Sequence, residues 1–179
     1  AENIGSFIES NKKLAKAVEK KTENRNKLLD KKAFTISGNP KKTYLPPKRL
    51  SLVPDFDFTP LDESHKRLEA SAWKYEKALA GVKKGFLSAE HKSQVNQLLR
   101  EVEQAMTRSD GLPRRKWFKN MIYAPGFYTG YGVKTLPGIR EGLEERNWDE
   151  THFYILEVAK ALDRAAAKIN VAADILKAS

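Results

Sequence analysis

The spacing of apolar residues predicts a chain built mainly from helices. Residues that recur every three or four positions mark one face of an α-helix, because the helix completes a turn about every 3.6 residues. A first apolar stripe runs from Ile4 to about Lys32 between faces rich in lysine and glutamate, and Leu28 and Leu29 form its last part. The same spacing returns in three later segments. We therefore expect an all-α domain that resembles a four-helix bundle.

Signals for helix starts support the later segments. Thr59 can cap a helix, and Pro60 suits the first helical position, where a proline loses no hydrogen bond. Ser88 and Asp149 are the predicted caps of the next two long helices. The final helix is rich in alanine, so another helix can approach it closely, either within the bundle or from a second subunit. Its predicted apolar stripe consists of Phe153, Leu156, Ala159, Leu162, Ala166, Ile169, Ala173 and Leu176.

Two segments between the helices differ in composition. The first is rich in proline and lysine and predicts a long irregular insertion, because proline interrupts regular structure. The second combines glycine, proline and aromatic residues, which is typical of a loop whose side chains contact a partner or ligand. The helical pattern starts almost at once, so we expect a piece of a longer protein. The predicted division is a first helix at 1–33, an insertion at 34–59, two helices at 60–108, a functional loop at 109–136, and a short helix with a long final helix at 137–179.

The positive charge of the chain is concentrated in its first third. Residues 1–50 contain 13 Lys and Arg against 5 Asp and Glu, whereas residues 51–179 contain 20 against 18. A nucleic-acid-binding protein would use such lysines to neutralise phosphates and would add aromatic residues for base stacking. The region offers Phe7, Phe34 and Tyr44, which are widely spaced. We favour a solvated helix face and keep a basic helical nucleic-acid-binding module as the alternative.

Known catalytic and metal-binding patterns are missing from the sequence. The chain has no cysteine, which excludes disulfides, thiolate zinc sites and iron–sulfur clusters. His65, His91 and His152 are far apart and form no HExxH pair. No apolar stretch reaches the ~18 residues that a membrane span requires. We therefore expect no catalytic residue, no metal ligand, no cofactor and no membrane span in this chain.

Aromatic residues in the glycine-rich segment allow two interpretations. We expect Trp117, Tyr123 and Phe127 to anchor the loop to the core. Tyr131, between Gly130 and Gly132, either donates a hydrogen bond to a ligand or packs its ring on the bundle. The sequence leaves these alternatives for Tyr131 open.

Several short motifs then occur in a distinctive order. They are Asp110-Gly-Leu-Pro113, Met121-Ile-Tyr-Ala-Pro125, Tyr131 and Leu136-Pro-Gly-Ile139, followed by the alanine-rich helix. With this order and spacing, the chain resembles the C-terminal helical domain of the glutamate carboxypeptidase and transferrin receptor family. The resemblance is specific over about residues 110–179, and residues 60–108 agree as two helices in the expected order.

The resemblance implies a function for the chain. In that family the domain is a helix bundle that forms a homodimer, and the di-zinc peptidase centre lies in a separate, preceding domain. We therefore expect a non-catalytic dimerisation and pocket-lid domain of a zinc-dependent, carboxypeptidase-like hydrolase. The zinc would lie in the preceding peptidase domain, and the parent protein would work outside the cytoplasm, as a periplasmic, secreted or membrane-anchored ectodomain.

The resemblance also implies a substrate site. The loop after the Tyr-Ala-Pro motif reaches over the peptidase pocket and helps to hold the carboxylate of a peptide substrate. Tyr131 matches the family's tyrosine, whereas Gly130 stands where the family has a lysine, and Lys134 is the nearby candidate replacement. Loss of a charge-assisted hydrogen bond costs about 1.5–3 kcal/mol. We therefore expect no preference for a C-terminal glutamate.

Overall fold

The computed structural model describes residues 1–36, 45–82 and 87–178 and confirms an all-α domain. In that part of the chain, the β-structure consists of one antiparallel pair of short strands and two isolated bridges. The elements in chain order are α1 Glu2–Asp30, α2 Ala33–Ile36, α3 Thr59–Gly81, α4 Ala89–Ala105, β1 Tyr123–Pro125, β2 Val133–Thr135, α5 Pro137–Glu145 and α6 Trp148–Lys177.

Helix α6 is the centre of the bundle. It runs parallel to α3, and ion pairs at two levels link them: Arg67 Nε to Asp163 Oδ1 at 2.8 Å, and Lys74 Nζ to Asp174 Oδ1 at 2.7 Å. Helix α4 packs on α6 in the opposite direction. The alanine-rich face of α6 is buried inside this bundle. Its small side chains allow the neighbouring helices to pack closely against it. The fully buried residues of α6 include Val158, Ala161, Leu162, Ala165, Ala172 and Ala173.

Two groups of buried side chains form the core. The larger group joins α1, α3, α5, α6 and the segment between α4 and α5. Its α1 members are Ile4, Ile8 and Ala15. The smaller group lies at the far end of the bundle, where the last turns of α6 meet α3 and α4. Its members are Ala78, Val95, Ala172, Ala173 and Leu176.

The second half of α1 differs from the predicted apolar stripe. Its buried positions are Thr22 and Asn26, whereas Leu28 is exposed. The irregular segment 45–58 runs against this face. The Asn26 side chain donates to the Leu50 carbonyl at 2.9 Å and accepts the Leu50 N–H at 3.1 Å. Polar side chains are therefore buried here because they satisfy the backbone of a neighbouring segment.

Segment 45–58 also contributes to the core. Phe56 and Phe58 are buried, and the Phe56 ring lies 5.9 Å from the Trp148 ring and 4.8 Å from the His152 ring. The described part of the predicted insertion 34–59 thus contains the end of α2 and this irregular segment. Residues 37–44, which include Tyr44, lie outside the described residues.

One of the three predicted helix caps is confirmed. The Ser88 hydroxyl accepts the His91 N–H at 3.1 Å. The other two predictions are wrong. Thr59 is already the first residue of α3, and its N–H is bound by the Asp57 carboxylate at 2.9 Å. The cap of α6 is Asn147, whose side-chain oxygen accepts the Glu150 N–H at 3.3 Å.

Candidate functional site

The glycine-rich loop projects from a short β-hairpin. Strands β1 and β2 pair antiparallel, with Tyr123 opposite Thr135 and Pro125 opposite Val133. Residues 126–132 connect them and are called the aromatic loop below. The Gly126 N–H donates to the Gly132 carbonyl at 2.8 Å, and the Gly130 N–H donates to the Gly126 carbonyl at 3.0 Å. These bonds close the loop into a compact turn.

Tyr131 lies at the tip of this turn. Its relative exposure is 104%, so its ring does not pack on the bundle. The alternative in which the ring covers the core is therefore wrong. The hydroxyl is free to reach a molecule on this side of the domain.

Gly130 adopts a backbone conformation that suits glycine. Its φ angle is +61°, and a Cβ built there would meet no atom within 4 Å. A larger residue would fit in space but would occupy the left-handed region, which costs L-residues about 1–2 kcal/mol. The local backbone thus favours glycine over a lysine at this position.

Lys134 is engaged by a carboxylate of this chain. Its Nζ donates to both oxygens of Glu144, at 2.9 and 2.8 Å, and Glu144 also accepts from Arg140 Nε at 3.1 Å. Burial acts to raise the pKa of Glu144, but the hydrogen bonds from Lys134 and Arg140 prevail and hold that pKa below its ordinary value. The Lys134 charge is therefore neutralised within the domain.

A buried ion pair lies at the base of the aromatic loop. Arg115 donates through both terminal nitrogens to the carboxylate of Glu141 on α5, at 2.8 and 2.9 Å. Both side chains are 3% exposed. The same carboxylate accepts the Phe127 N–H at 2.9 Å. The sequence does not predict this pair, because its members are 26 positions apart and an arginine and a glutamate give no local signal of burial.

A second arginine continues the charged cluster toward α6. Arg114 donates to both carboxylate oxygens of Glu150, at 2.9 and 3.0 Å, and this contact raises the pKa of Arg114. Glu145 lies 3.4 Å from the Arg114 guanidinium. Burial raises the pKa of Glu145, and its Oε1 atom is buried without a hydrogen-bond partner.

Most aromatic side chains around the loop are exposed rather than buried. Trp117 is 74% exposed, and Tyr123, Phe127 and Tyr128 also face solvent. The prediction that Trp117, Tyr123 and Phe127 anchor the loop as part of the core was therefore wrong, and the exposed Phe127 ring contacts the Arg114 and Arg115 guanidinium groups instead. The buried positions beneath the loop are aliphatic instead. They are Leu112, Met121, Ile122, Ala124, Leu136 and Ile139.

Helices α3 and α6 carry large apolar side chains on their outer surfaces. Phe153, Leu156 and Val171 of α6 are about half exposed, and Trp73 of α3 is 63% exposed. The Phe153 ring is covered on one face by the Arg108 guanidinium at 4.8 Å. Of the rest of the predicted apolar stripe of α6, Ile169 is partly buried and the other members are buried within the chain.

Residues 1–36, 45–82 and 87–178 offer neither a metal-ligand cluster nor a membrane-spanning helix. These residues contain no group of three or more His, Cys, Asp or Glu side chains that could hold a metal ion. Within the same ranges, no helix has both the length and the hydropathy needed to cross a bilayer. The resemblance places the di-zinc centre in a separate, preceding domain, and the described residues of this chain offer no ligand set for it.

Comparison with known proteins identifies similar sequences. The family model described as the transferrin receptor-like dimerisation domain matches residues 56–170. A probable glutamate carboxypeptidase LAMP1 of Arabidopsis thaliana is 31% identical over 80 residues, which are 41% of this chain and 12% of that protein. A probable glutamate carboxypeptidase of Arthroderma benhamiae is 29% identical over 126 residues, 70% of this chain and 16% of that protein. The aligned part of the chain therefore spans less than a fifth of the length of these relatives.

Proposed function

Because the chain belongs to the transferrin receptor-like dimerisation domain family, we propose that it is the non-catalytic dimerisation and pocket-lid domain of a zinc-dependent, glutamate carboxypeptidase-like hydrolase. The family match over residues 56–170 carries this proposal, since it includes α3, α4, α5, the aromatic loop and most of α6. The names of the two relatives support the same class of parent protein.

The lid role uses side chains of the aromatic loop. A zinc pair bound in the preceding domain would polarise the scissile carbonyl and activate water. This chain would supply the phenol of Tyr131, which donates a hydrogen bond to the free carboxylate of a peptide substrate. The full exposure of Tyr131 supports the role, because its ring does not pack against the described residues of the domain.

The charges near the loop support a preference against C-terminal glutamate. Gly130 carries no side chain, and the Lys134 ammonium is bound by both oxygens of Glu144. A second substrate carboxylate would therefore have to compete with Glu144 for its cation. We propose a substrate that offers a free main-chain carboxylate and an uncharged C-terminal side chain, in a parent that works outside the cytoplasm.

The dimerisation role uses the outer surface of α6. We propose a homodimer with a two-fold axis, in which the same surface of each subunit meets its copy. Leu156 is the central candidate, because it is 49% exposed on the helix that organises the bundle. Removal of a half-exposed leucine from water by a second subunit makes the free energy of association more favourable.

Sedimentation velocity over a range of protein concentrations tests the dimer. We expect the unaltered chain to show a concentration-dependent dimer and Leu156→Glu to shift the equilibrium toward monomer. Leu52→Glu is the matched control, since it makes the same change at an exposed leucine outside α6. Identical sedimentation of Leu156→Glu and the unaltered chain at every concentration would exclude this surface.

The exposed lysines of α1 support the second candidate, a nucleic-acid-binding module. Lys13, Lys16, Lys20, Lys21 and Lys27 all face solvent. Phosphate binding through lysines weakens steeply as salt rises, because bound counterions are released on association. Titration of a single-stranded and a double-stranded DNA at two salt concentrations distinguishes the candidates. Salt-dependent binding that is lost in a Lys16→Glu, Lys20→Glu double variant would favour this module over the lid domain.

A further inference from the structure

The buried pair of Arg115 and Glu141 needs an explanation beyond stability. Removing two charges from water is costly, and buried ion pairs can often be replaced by apolar residues of similar volume with no loss of stability. The other buried side chains beneath the loop are apolar. An apolar pair at these positions would therefore serve the core equally well.

The pair connects three segments that are distant in sequence. Arg115 belongs to a tight turn, in which its N–H donates to the Leu112 carbonyl at 3.2 Å and its carbonyl accepts the Phe118 N–H at 3.0 Å. Glu141 lies on α5. The Glu141 carboxylate also accepts the Phe127 N–H, at the start of the aromatic loop. One carboxylate thus joins the turn, α5 and the loop.

Among the residues that the structure describes, the other hydrogen bonds of the aromatic loop lie within the hairpin itself. Besides the two glycine bonds, the Thr129 hydroxyl donates to the Gly132 carbonyl at 3.3 Å. The bond from Phe127 to Glu141 therefore fixes the loop relative to the bundle. Ring contacts add to it, because the Arg114 and Arg115 guanidinium carbons lie 5.5 and 5.9 Å from the Phe127 ring centre.

We propose that Arg115 and Glu141 are positioning residues for the aromatic loop. Arg115 holds the Glu141 carboxylate in one orientation through two hydrogen bonds. The second role of that carboxylate, as acceptor for the Phe127 N–H, sets the direction in which Tyr128 and Tyr131 project. The inference rests on the proposed function for what the loop touches, but the order of the loop can be measured without substrate or zinc.

Amide hydrogen exchange on the purified 179-residue chain, resolved by residue with NMR, tests the proposal. In the double variant Arg115→Met, Glu141→Leu, called the leucine variant, the Phe127 N–H loses its acceptor while apolar side chains still occupy both positions. We expect the hydrogen-bonded amides of the loop, those of Phe127, Gly130 and Tyr131, to exchange roughly tenfold faster or more, with unchanged exchange in the middle of α6. Arg67→Gln, Asp163→Asn is the matched control, because it removes a bidentate ion pair elsewhere in the bundle and should leave the loop amides unchanged.

A conservative variant separates positioning from a merely structural role. The double variant Arg115→Met, Glu141→Gln, called the glutamine variant, removes both charges. It keeps a side-chain oxygen at position 141 that can accept the Phe127 N–H. We expect this variant to restore only part of the slow exchange, because the amide oxygen can accept the Phe127 N–H but no Arg115 guanidinium holds it in one orientation. Should the leucine variant fail to fold, Glu141→Asp provides a second measurement, since it keeps the charge pair and withdraws the carboxylate from Phe127 by one methylene. Loop exchange at the unaltered rate in a folded leucine variant, or in Glu141→Asp, would overturn the proposal.

Enzyme kinetics can test the proposed lid role separately from the positioning role. In a full-length protein with a peptidase domain, the leucine variant should raise the KM for peptide and leave kcat nearly unchanged, and the glutamine variant should restore the KM in part. If loop exchange rises as expected while the KM stays constant, Arg115 and Glu141 still position the loop and the lid role is wrong. If neither changes, the positioning role itself is excluded.

Discussion

The side chain of Asn26 on α1 forms two hydrogen bonds with the backbone of Leu50, one as donor and one as acceptor. Asn26 is 6% exposed, so water does not readily replace it. A single side chain therefore satisfies both polar groups of a residue that belongs to no helix or strand. This contact attaches the irregular segment 45–58 to the first helix.

Replacing Asn26 by alanine should destabilise the domain. The Leu50 N–H and carbonyl would lose their partners, and an unsatisfied buried polar group costs about 1–3 kcal/mol. We expect a loss of that size in the free energy of unfolding, measured with urea. Asn24→Ala is the control, because Asn24 is exposed on the same helix and its loss should change stability by less than about 0.5 kcal/mol. Equal effects of the two substitutions would contradict the role assigned to Asn26.

Three glycine-to-alanine substitutions should form a graded series. A Cβ on Gly111, which has φ +70°, would lie 2.1 Å from the Lys116 carbonyl oxygen, so both the backbone and the contact are strained. Gly130 has φ +61° but open space around it, and Gly81 at the end of α3 has neither problem. We expect Gly81→Ala to stabilise by up to about 1 kcal/mol. Gly130→Ala should cost about 1–2 kcal/mol, and Gly111→Ala should cost more than either. Urea denaturation measures the order, and a Gly130→Ala variant less stable than Gly111→Ala would contradict it.

Tyr131→Phe in a full-length parent tests the lid role directly. The substitution removes one hydroxyl and keeps the ring, so the loop should not change. We expect the KM for a peptide with a free carboxylate to rise roughly ten- to hundredfold, with little change in kcat, because a hydrogen bond to a charged group contributes about 1.5–3 kcal/mol. Tyr128→Phe is the control, since Tyr128 is also exposed on the same loop. Unchanged kinetics of Tyr131→Phe would remove its ligand role.

Glu144 and Glu145 should respond to pH with opposite signs. Burial opposes ionisation of Glu144, but its hydrogen bonds to Lys134 and Arg140 lower its pKa below the ordinary value of 4.5. The stability that Glu144 contributes is therefore present above pH 4.5 and is lost as the pH falls through the lowered pKa. Burial raises the pKa of Glu145, so its ionisation reduces stability as the pH rises from 4.5 through that raised value.

Glutamine substitutions can separate these two contributions. Glu144→Gln should lower stability at neutral pH and weaken the loss of stability in acid. Glu145→Gln should leave stability at neutral pH equal or higher, because an incompletely bonded buried charge is removed. Urea denaturation between pH 3 and pH 7 would measure both. A larger loss at neutral pH for Glu145→Gln than for Glu144→Gln would show that the assigned signs are wrong.

The sequence pattern was sufficient for the helices but not for all their contacts. Regular apolar spacing identified α3, α4 and α6, because apolar residues make up most of their buried positions, although Ser64 and Ser71 of α3 and Thr151 of α6 are buried as well. The second half of α1 did not follow that rule. Thr22 and Asn26 are buried because other segments supply their hydrogen-bond partners, and Arg146 donates to the Thr22 hydroxyl across 124 positions. Such long-range polar partners leave no periodic signal.

The candidate site could be predicted only in part. The motif resemblance, which the family match confirms, located the loop and singled out Tyr131, and the structure shows that this ring faces solvent. The sequence did not reveal that Lys134 is bound by Glu144 or that Arg115 and Glu141 are buried together. It also assigned Trp117 to the core, because aromatic composition does not indicate which rings face water.

The distribution of the core sets the smallest piece of this chain that can fold on its own. A fragment limited to residues 56–170 would lack Ile4 and Ile8 of the main core and Ala172, Ala173 and Leu176 of the smaller one. Their partners on α3, α4 and α6 would then face water as apolar patches, which promote aggregation. Expression trimmed to the region of sequence similarity should therefore give insoluble protein, whereas boundaries that retain all of α1 and the last turn of α6 preserve the folding unit.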